Sequence, residues 1–376
     1  MNQVSSQLTW PQVAKVVTPN GVVNGEVACD DGFVSRVVER EGEPSGWVLP
    51  GFVDIHCHGG GGFSLAKGDA DQARQAQEFH ASRGTTSLVA SLVSSPFDLM
   101  MSATKAYQPL VADGVLAGIH FEGPYLAQSR CGAQNPQFLR DASVEELQAV
   151  IEAGQGAVKM VTIAPEVPGA LEAIDFLSAR GVVPSIGHTD ATFEQTEEAI
   201  EAGAFAATHL FNAMRPFSHR DPGPIPALLD DGRVVAEIIA DPVHLHPGTM
   251  RFAFNVSLPS WTVLVSDAME AAGLPDGEYE LGGLSVEVKD GAARLASNGA
   301  IAGSTLTMLD AFRNAVNLAG QDVTAASEMA SSTPAELLGL ADVGTLEVGK
   351  QANAVWLNDD LELQAVMRHG KVFAPN

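Results

Sequence analysis

His56 and His58 stand one residue apart at the end of the apolar run 52–56. Residues i and i+2 of a strand face the same side. The two imidazoles can therefore grip one ion together, while Cys57 between them faces the opposite way. A lone histidine at a strand end is ordinarily a hydrogen-bonded polar group and nothing more. Here the placement repeats. Glu122 ends the run 115–122, His188 ends 182–188, His209 lies in 205–211 and Asp267 ends 262–267. Imidazoles and carboxylates are the ligand set of zinc, iron or manganese. Four histidines and two acids at five strand ends can hold two divalent ions, with a carboxylate bridging them.

The elements that must position these groups follow a regular rhythm. Eight short apolar runs (52–56, 86–93, 115–122, 158–164, 182–188, 205–211, 234–241 and 262–267) alternate with amphipathic segments such as SVEELQAVIEAG and TFEQTEEAIEAG, which end in glycine. Strands alternating with helices imply βαβ units and a parallel sheet. Eight units predict an α/β fold, a (β/α)8 TIM-like barrel over 51–342, closed by the helix that follows Ser304, with Ser304 as its N-cap. A doubly wound sheet is the alternative. The polar residues favour the barrel, whose catalytic groups come from the C-terminal ends of its strands. Both chain ends are rich in short β-type segments with Asn-Gly and Asp-Gly turn pairs. They predict a small β-sandwich domain built from 1–50 plus 343–376. Period-two alternation over 276–297, turning at 289–291, predicts a β-hairpin inserted after the eighth strand.

Composition narrows the partners. The 376 residues carry 46 acids against 21 Lys and Arg, a net charge of −25. Such a surface repels nucleic acid and anionic membranes, and an anionic substrate would need a local cationic pocket. Cys29, Cys57 and Cys131 suggest no disulfide framework. No run reaches the ~18 apolar residues a membrane span needs, and the N-terminus has no leader pattern, so a cytoplasmic location is expected. Of the other histidines, His120 shares the parity of Glu122 one layer deeper and reads as packing or as a support behind the metal ligands. His80 and His369 read as structural or surface. The glycines of 59–63 do not form a phosphate loop; they are expected to let backbone approach the metal site.

GFVDIHCHGG, GIHFEGPYL, IGHTDAT, THLFNAM, VSDAM and AGSTLTM occur in order between about Val48 and Met308. This set resembles the amidohydrolase superfamily and, within it, the N-acetylglucosamine-6-phosphate deacetylases of amino-sugar catabolism and cell-wall recycling. The resemblance implies a main metal at Glu122, His188 and His209. It implies a second at His56 and His58, bridged by Glu122, with Zn2+ the best fit and Fe2+, Mn2+ or Co2+ alternatives. It makes Asp267 a metal ligand and the catalytic acid–base. It places Asn212, the Ala213 backbone and Met308 at the sugar phosphate, and gives the phosphate Arg220 and His244. In the family the arginine comes from a neighbouring subunit, which implies a homodimer.

One departure stands out. The family's KKGAHNP is here SRCGAQNP, so Gln134 occupies the place of a histidine that polarises the substrate carbonyl, and Cys131 that of a lysine. Glutamine donates a neutral hydrogen bond but cannot become a cation. Gln134, the second ion, or Cys131 on a mobile loop between Ala127 and Pro136 are the candidates to replace it. Two other readings are a cyclic-amide hydrolase of the same superfamily, whose bridging lysine on the fourth strand has no counterpart at the end of 158–164, and a non-catalytic scaffold, which would be expected to have lost ligands.

Overall fold

The computed structural model describes residues 10–375; residues 1–9 and Asn376, at the outer ends of the two terminal segments, lie outside them. The eight apolar runs are eight parallel strands: β1 Phe52–Asp54, β2 Thr85–Leu92, β3 Gly118–Glu122, β4 Val158–Ile163, β5 Val183–Ile186, β6 Ala206–Ala207, β7 Val235–Ile239 and β8 Thr262–Val265. They pair in sequence order from β1 to β8. The ring is joined just beyond the strands, where the Asp267 amide donates to His56 O (2.9 Å) and the His58 amide to Ala268 O (2.7 Å). The Ser266 amide and hydroxyl both donate to the buried Asp54 carboxylate. This fixes the metal-ligand candidates of the first and last strands against each other.

Strands covered on both faces should read as continuous apolar runs rather than alternating ones, and β3, β5, β7 and β8 are buried along their whole length. Between them run the expected helices, among them Ala70–Ala81, Val144–Gly154, Ala170–Ser178, Phe193–Glu201 and Met308–Asn317. Several starts are fixed by side-chain caps. Thr192 accepts from the Gln195 amide while the Gln195 side chain accepts from the Thr192 amide, a reciprocal pair. The helix Met308–Asn317, the one expected to close the barrel, is capped by Thr307, which accepts from the Asp310 amide. Ser304 does not cap it. Its hydroxyl donates to Ser266 O and accepts from the Leu306 amide, so it braces the turn after β8.

The chain ends meet in one seven-stranded sheet. Trp47–Pro50 pairs in parallel with Ala14–Thr18 on one side and antiparallel with Ala354–Leu357 on the other. The insertion after β8 has three strands rather than two: Gly277–Leu281, Leu284–Lys289 and Ala292–Leu295. Besides the turn at Asp290-Gly291 there is one at Gly282-Gly283, where both glycines take positive φ. The glycines of 59–62 also serve a different end from the one expected. Gly59–Gly60 pairs with Phe63–Ser64 in a tight hairpin. A Cβ on Gly60 would come within 2.6 Å of both Phe79 and His80. The close approach is to the first helix, not to the metal-ligand cluster. Among the described residues no helix is long and apolar enough to cross a membrane.

Candidate metal centre and cleft

At the C-terminal mouth of the barrel the six residues read as ligands converge. Glu122 is central. Its Oε1 lies 2.9 Å from His188 Nε2 and 3.0 Å from His209 Nε2. Its Oε2 lies 3.3 Å from His58 Nε2. Asp267 Oδ1 lies 3.2 Å from His58 Nε2 and 3.5 Å from His56 Nε2. The residues thus form two groups that share one carboxylate: His56, His58 and Glu122, and Glu122, His188 and His209.

The outer ring nitrogens decide which atoms point inward. His58 Nδ1 donates to Ser91 O (3.1 Å) and His188 Nδ1 to Arg130 O (2.9 Å). His56 Nδ1 donates to the Glu237 carboxylate (3.0 Å). Each of these acceptors can only accept, so Nδ1 keeps a proton, and it is Nε2, whose lone pair is freed when the ring loses its second proton, that faces the centre. His56 and His58 Nε2 are 3.2 Å apart, and His188 and His209 Nε2 3.1 Å. Lone pairs facing at that distance beside two carboxylates call for a cation between them, and this donor set fits divalent metal. Proton affinities say the same. Burial alone would depress His58, but hydrogen bonds to Asp267 and Glu122 outweigh it and lift it to about 9. Burial would also depress His56, yet the Glu237 and Asp267 charges hold it well above its ordinary range. Burial would raise Asp267, and the His56 and His58 charges lower it instead.

A third buried group, Asp54, Cys57 and His80, has metal-type donors at similar spacing but is not a ligand set. His80 Nε2 lies 2.9 Å from Gly59 O, a pure acceptor, so that nitrogen carries the proton. Burial drives His80 down to about 4, and Asp54 is already taken by Ser266.

Three of the six residues take left-handed backbone: His188 (φ 48°), His209 (φ 32°) and Asp267 (φ 48°), with Phe211 and Ala213 besides. For a residue with a Cβ this costs about 1–2 kcal/mol. Such strain gathers where the fold must aim a side chain.

The centre forms the floor of a cleft of about 330 Å³, within the ~300–1,000 Å³ typical of small-molecule sites. Gln134, Asn212, Ala213 and His244 line it. His244 Nδ1 is held by the Asp241 carboxylate at 2.9 Å. Gln134 is buried and held at both ends of its amide: its Oε1 accepts from the Ser94 amide and its Nε2 donates one proton to Glu122 Oε2, both at 2.6 Å. The expected substrate contacts are not all brought together. Met308, the first residue of the helix Met308–Asn317, is wholly buried in the main core and does not line the cleft. Arg220 is exposed and also outside the lining. Cys131 is half-buried and not among the lining residues; its carbonyl accepts from the Gln134 amide. The loop carrying it is tied to β5's end by the Ala127 amide on His188 O, by Arg130 O on His188 Nδ1 and by the Arg130–Asp190 ion pair.

Comparison with known proteins agrees with this geometry. The amidohydrolase family model matches residues 47–373. The chain belongs to the amidohydrolase family. A Lysinibacillus sphaericus N-acetylglucosamine-6-phosphate deacetylase is 36% identical, with 92% of each chain covered. An Escherichia coli O157:H7 N-acetylgalactosamine-6-phosphate deacetylase is 35% identical, with 93% of each covered. A solved mutant N-acetyl-D-glucosamine-6-phosphate deacetylase from Mycobacterium smegmatis, in complex with N-acetyl-D-glucosamine-6-phosphate, superposes with a TM-score of 0.92 at 40% identity. That match covers 96% of this chain and 98% of the other.

Within this amidohydrolase the cyclic-amide arrangement has no footing. Lys159 opens β4 and lines a separate cavity with Thr86 and His369, away from the metal centre. Reading the sequence missed several parts of the site. Leu281 of the insertion, with Ala300, Ile301 and Gly303, lines one side of the cleft, and Arg130 and Ser129 lie at it too. Glu237 was missed as well, although an acid inside the apolar run 234–241 was a readable signal.

Proposed function

We infer that the chain hydrolyses the acetamide of N-acetyl-D-glucosamine 6-phosphate to D-glucosamine 6-phosphate and acetate. The observation that carries this reading is Glu122, held between two histidine pairs on the floor of a cleft, in a chain similar along its length to deacetylases of that sugar phosphate. We propose two ions per chain, zinc by preference. His188, His209 and Glu122 would hold one, and His56, His58 and Glu122 the other, with Asp267 beside them. Bound divalent metal acidifies a water and polarises the acetamide carbonyl.

The chain's own groups do the rest. Asp267, whose Oδ1 lies beside His56 and His58, accepts the proton of the attacking water as the carbonyl carbon gains its oxygen. It then delivers that proton to the departing nitrogen as the C–N bond breaks. Gln134 holds Glu122 in place and has a second Nε2 proton for the substrate carbonyl. Asn212 and the Ala213 backbone meet the sugar, and His244, oriented by Asp241, meets the phosphate. Arg220 completes the phosphate clamp from the neighbouring protomer of a homodimer, since a guanidinium matches phosphate geometry and this one faces outward.

Acetate release from the sugar phosphate tests the proposal. Release that stops on chelation and returns with Zn2+ supports it; no release from any N-acetylated hexosamine 6-phosphate contradicts it. The similarity to an N-acetylgalactosamine-6-phosphate deacetylase favours one second reading, the galactosamine epimer as substrate. Relative kcat/KM on the two sugars separates them.

A further inference from the structure

Glu237 sits in the middle of β7 and is completely buried. No lysine or arginine pairs with it among the described residues. Taking a carboxylate out of water costs several kcal/mol, so its place needs a reason. Its Oε2 accepts from His56 Nδ1 at 3.0 Å and from the His209 amide at 3.1 Å, while Oε1 has no partner. One oxygen therefore touches a residue from each half of the metal centre.

The four ligand histidines are not held alike. The outer nitrogens of His58 and His188 rest on backbone carbonyls, and His209 Nδ1 has no partner. Only His56 leans on a carboxylate. A carboxylate behind a metal-binding imidazole fixes its tautomer and raises its basicity. Charge points the same way. Two divalent ions bring four positive charges, and Glu122, Asp267 and Glu237 bring three of the negatives that balance them.

We propose that Glu237 is the positioning residue that makes this centre binuclear: by holding His56 and supplying the third buried negative charge, it secures the ion at His56 and His58. This rests on the two-ion reading above. The test uses Mn2+ alone, titrated into metal-free protein, with bound ion per chain and the electron paramagnetic signal of coupled Mn2+ pairs as readouts. Wild type should bind two ions and show coupling. Glu237→Gln, which keeps the shape, should keep the ion at His188 and His209, bind the second about 10–100-fold more weakly, and show isolated Mn2+ until excess metal restores coupling. A second ion bound as tightly by the variant as by wild type overturns the role of Glu237 alone. A single ion in wild type overturns the two-ion reading with it. Wild type also offers a check that needs no variant. In zinc-loaded protein, His56 Nδ1 should carry a strongly hydrogen-bonded, slowly exchanging proton by 15N NMR; an unprotonated Nδ1 contradicts the proposal.

Discussion

His56 and His120 are both wholly buried histidines whose rings lie 4.7 Å apart, one layer of the barrel from each other. Their surroundings are opposite. His120 is closed on both sides by hydroxyls, with Nδ1 on Ser91 Oγ (2.9 Å) and Nε2 on Thr162 Oγ1 (2.8 Å). Thr162 continues to Thr208, and Thr208 to Ser185. Burial, helped by the charge of His56, drives His120 well below its ordinary pKa, so it stays neutral. His56 has one nitrogen on Glu237 and leaves the other facing His58 and two carboxylates. Residue type and burial are the same in both cases. What separates a packing histidine from a ligand is an inward lone pair that the protein leaves without a partner.

The largest effect expected from this contrast is at the acid–base itself. Asp267→Asn should lower kcat by about 10²–10⁴-fold with bound metal retained, checked by acetate release and metal analysis; near-normal turnover would remove Asp267 from the mechanism. Next, Arg220→Ala should raise KM by about 10–100-fold with kcat little changed, the loss of about 1.5–3 kcal/mol from a charged hydrogen bond. An unchanged KM would leave the phosphate clamp to His244.

The two layers can then be compared directly. His120→Phe should leave the metal content intact while costing about 1–3 kcal/mol for each hydroxyl it orphans, read from chemical denaturation. His56→Phe should cost an ion. Loss of metal from the His120 variant would break the distinction. The smallest effect is in protons. His58 holds its proton up to about 9, so metal must displace it at neutral pH. Metal binding should therefore release protons at pH 7 and weaken as pH falls. Calorimetry in buffers of different ionisation enthalpy measures this, and no release would contradict it.

The barrel and the cluster of candidate ligands at its mouth were legible because the chemistry-bearing residues end apolar runs. His56, Glu122, His188, His209 and Asp267 each sit where a barrel strand opens to the mouth, and the parity rule placed His58 beside His56 and His120 beneath Glu122. What stayed hidden depends on backbone conformation or distant partners. No spacing rule gives the positive φ of His188, His209 and Asp267, or the use of Arg130 O as the brace for His188. Glu237 looked like one polar residue in a buried strand, because its meaning lies in His56, 181 positions away. Ser304 was misplaced as a cap because the helix begins a few residues later, after Thr307, while Met308, named from the family resemblance, lies in the core. The third strand of the insertion was readable in Gly282-Gly283, where the alternation breaks.

The central claim is a pair of ions sharing Glu122 beneath the sugar phosphate. Anomalous diffraction at the zinc edge, from crystals of the Asp267→Asn variant soaked with N-acetyl-D-glucosamine 6-phosphate, tests it most directly. Two anomalous peaks per chain are expected, one bounded by Glu122, His188 and His209 and the other by Glu122, His56 and His58, with the acetamide of the bound sugar over them. Density at the His188 and His209 side alone, or a sugar phosphate bound away from both groups, would contradict it.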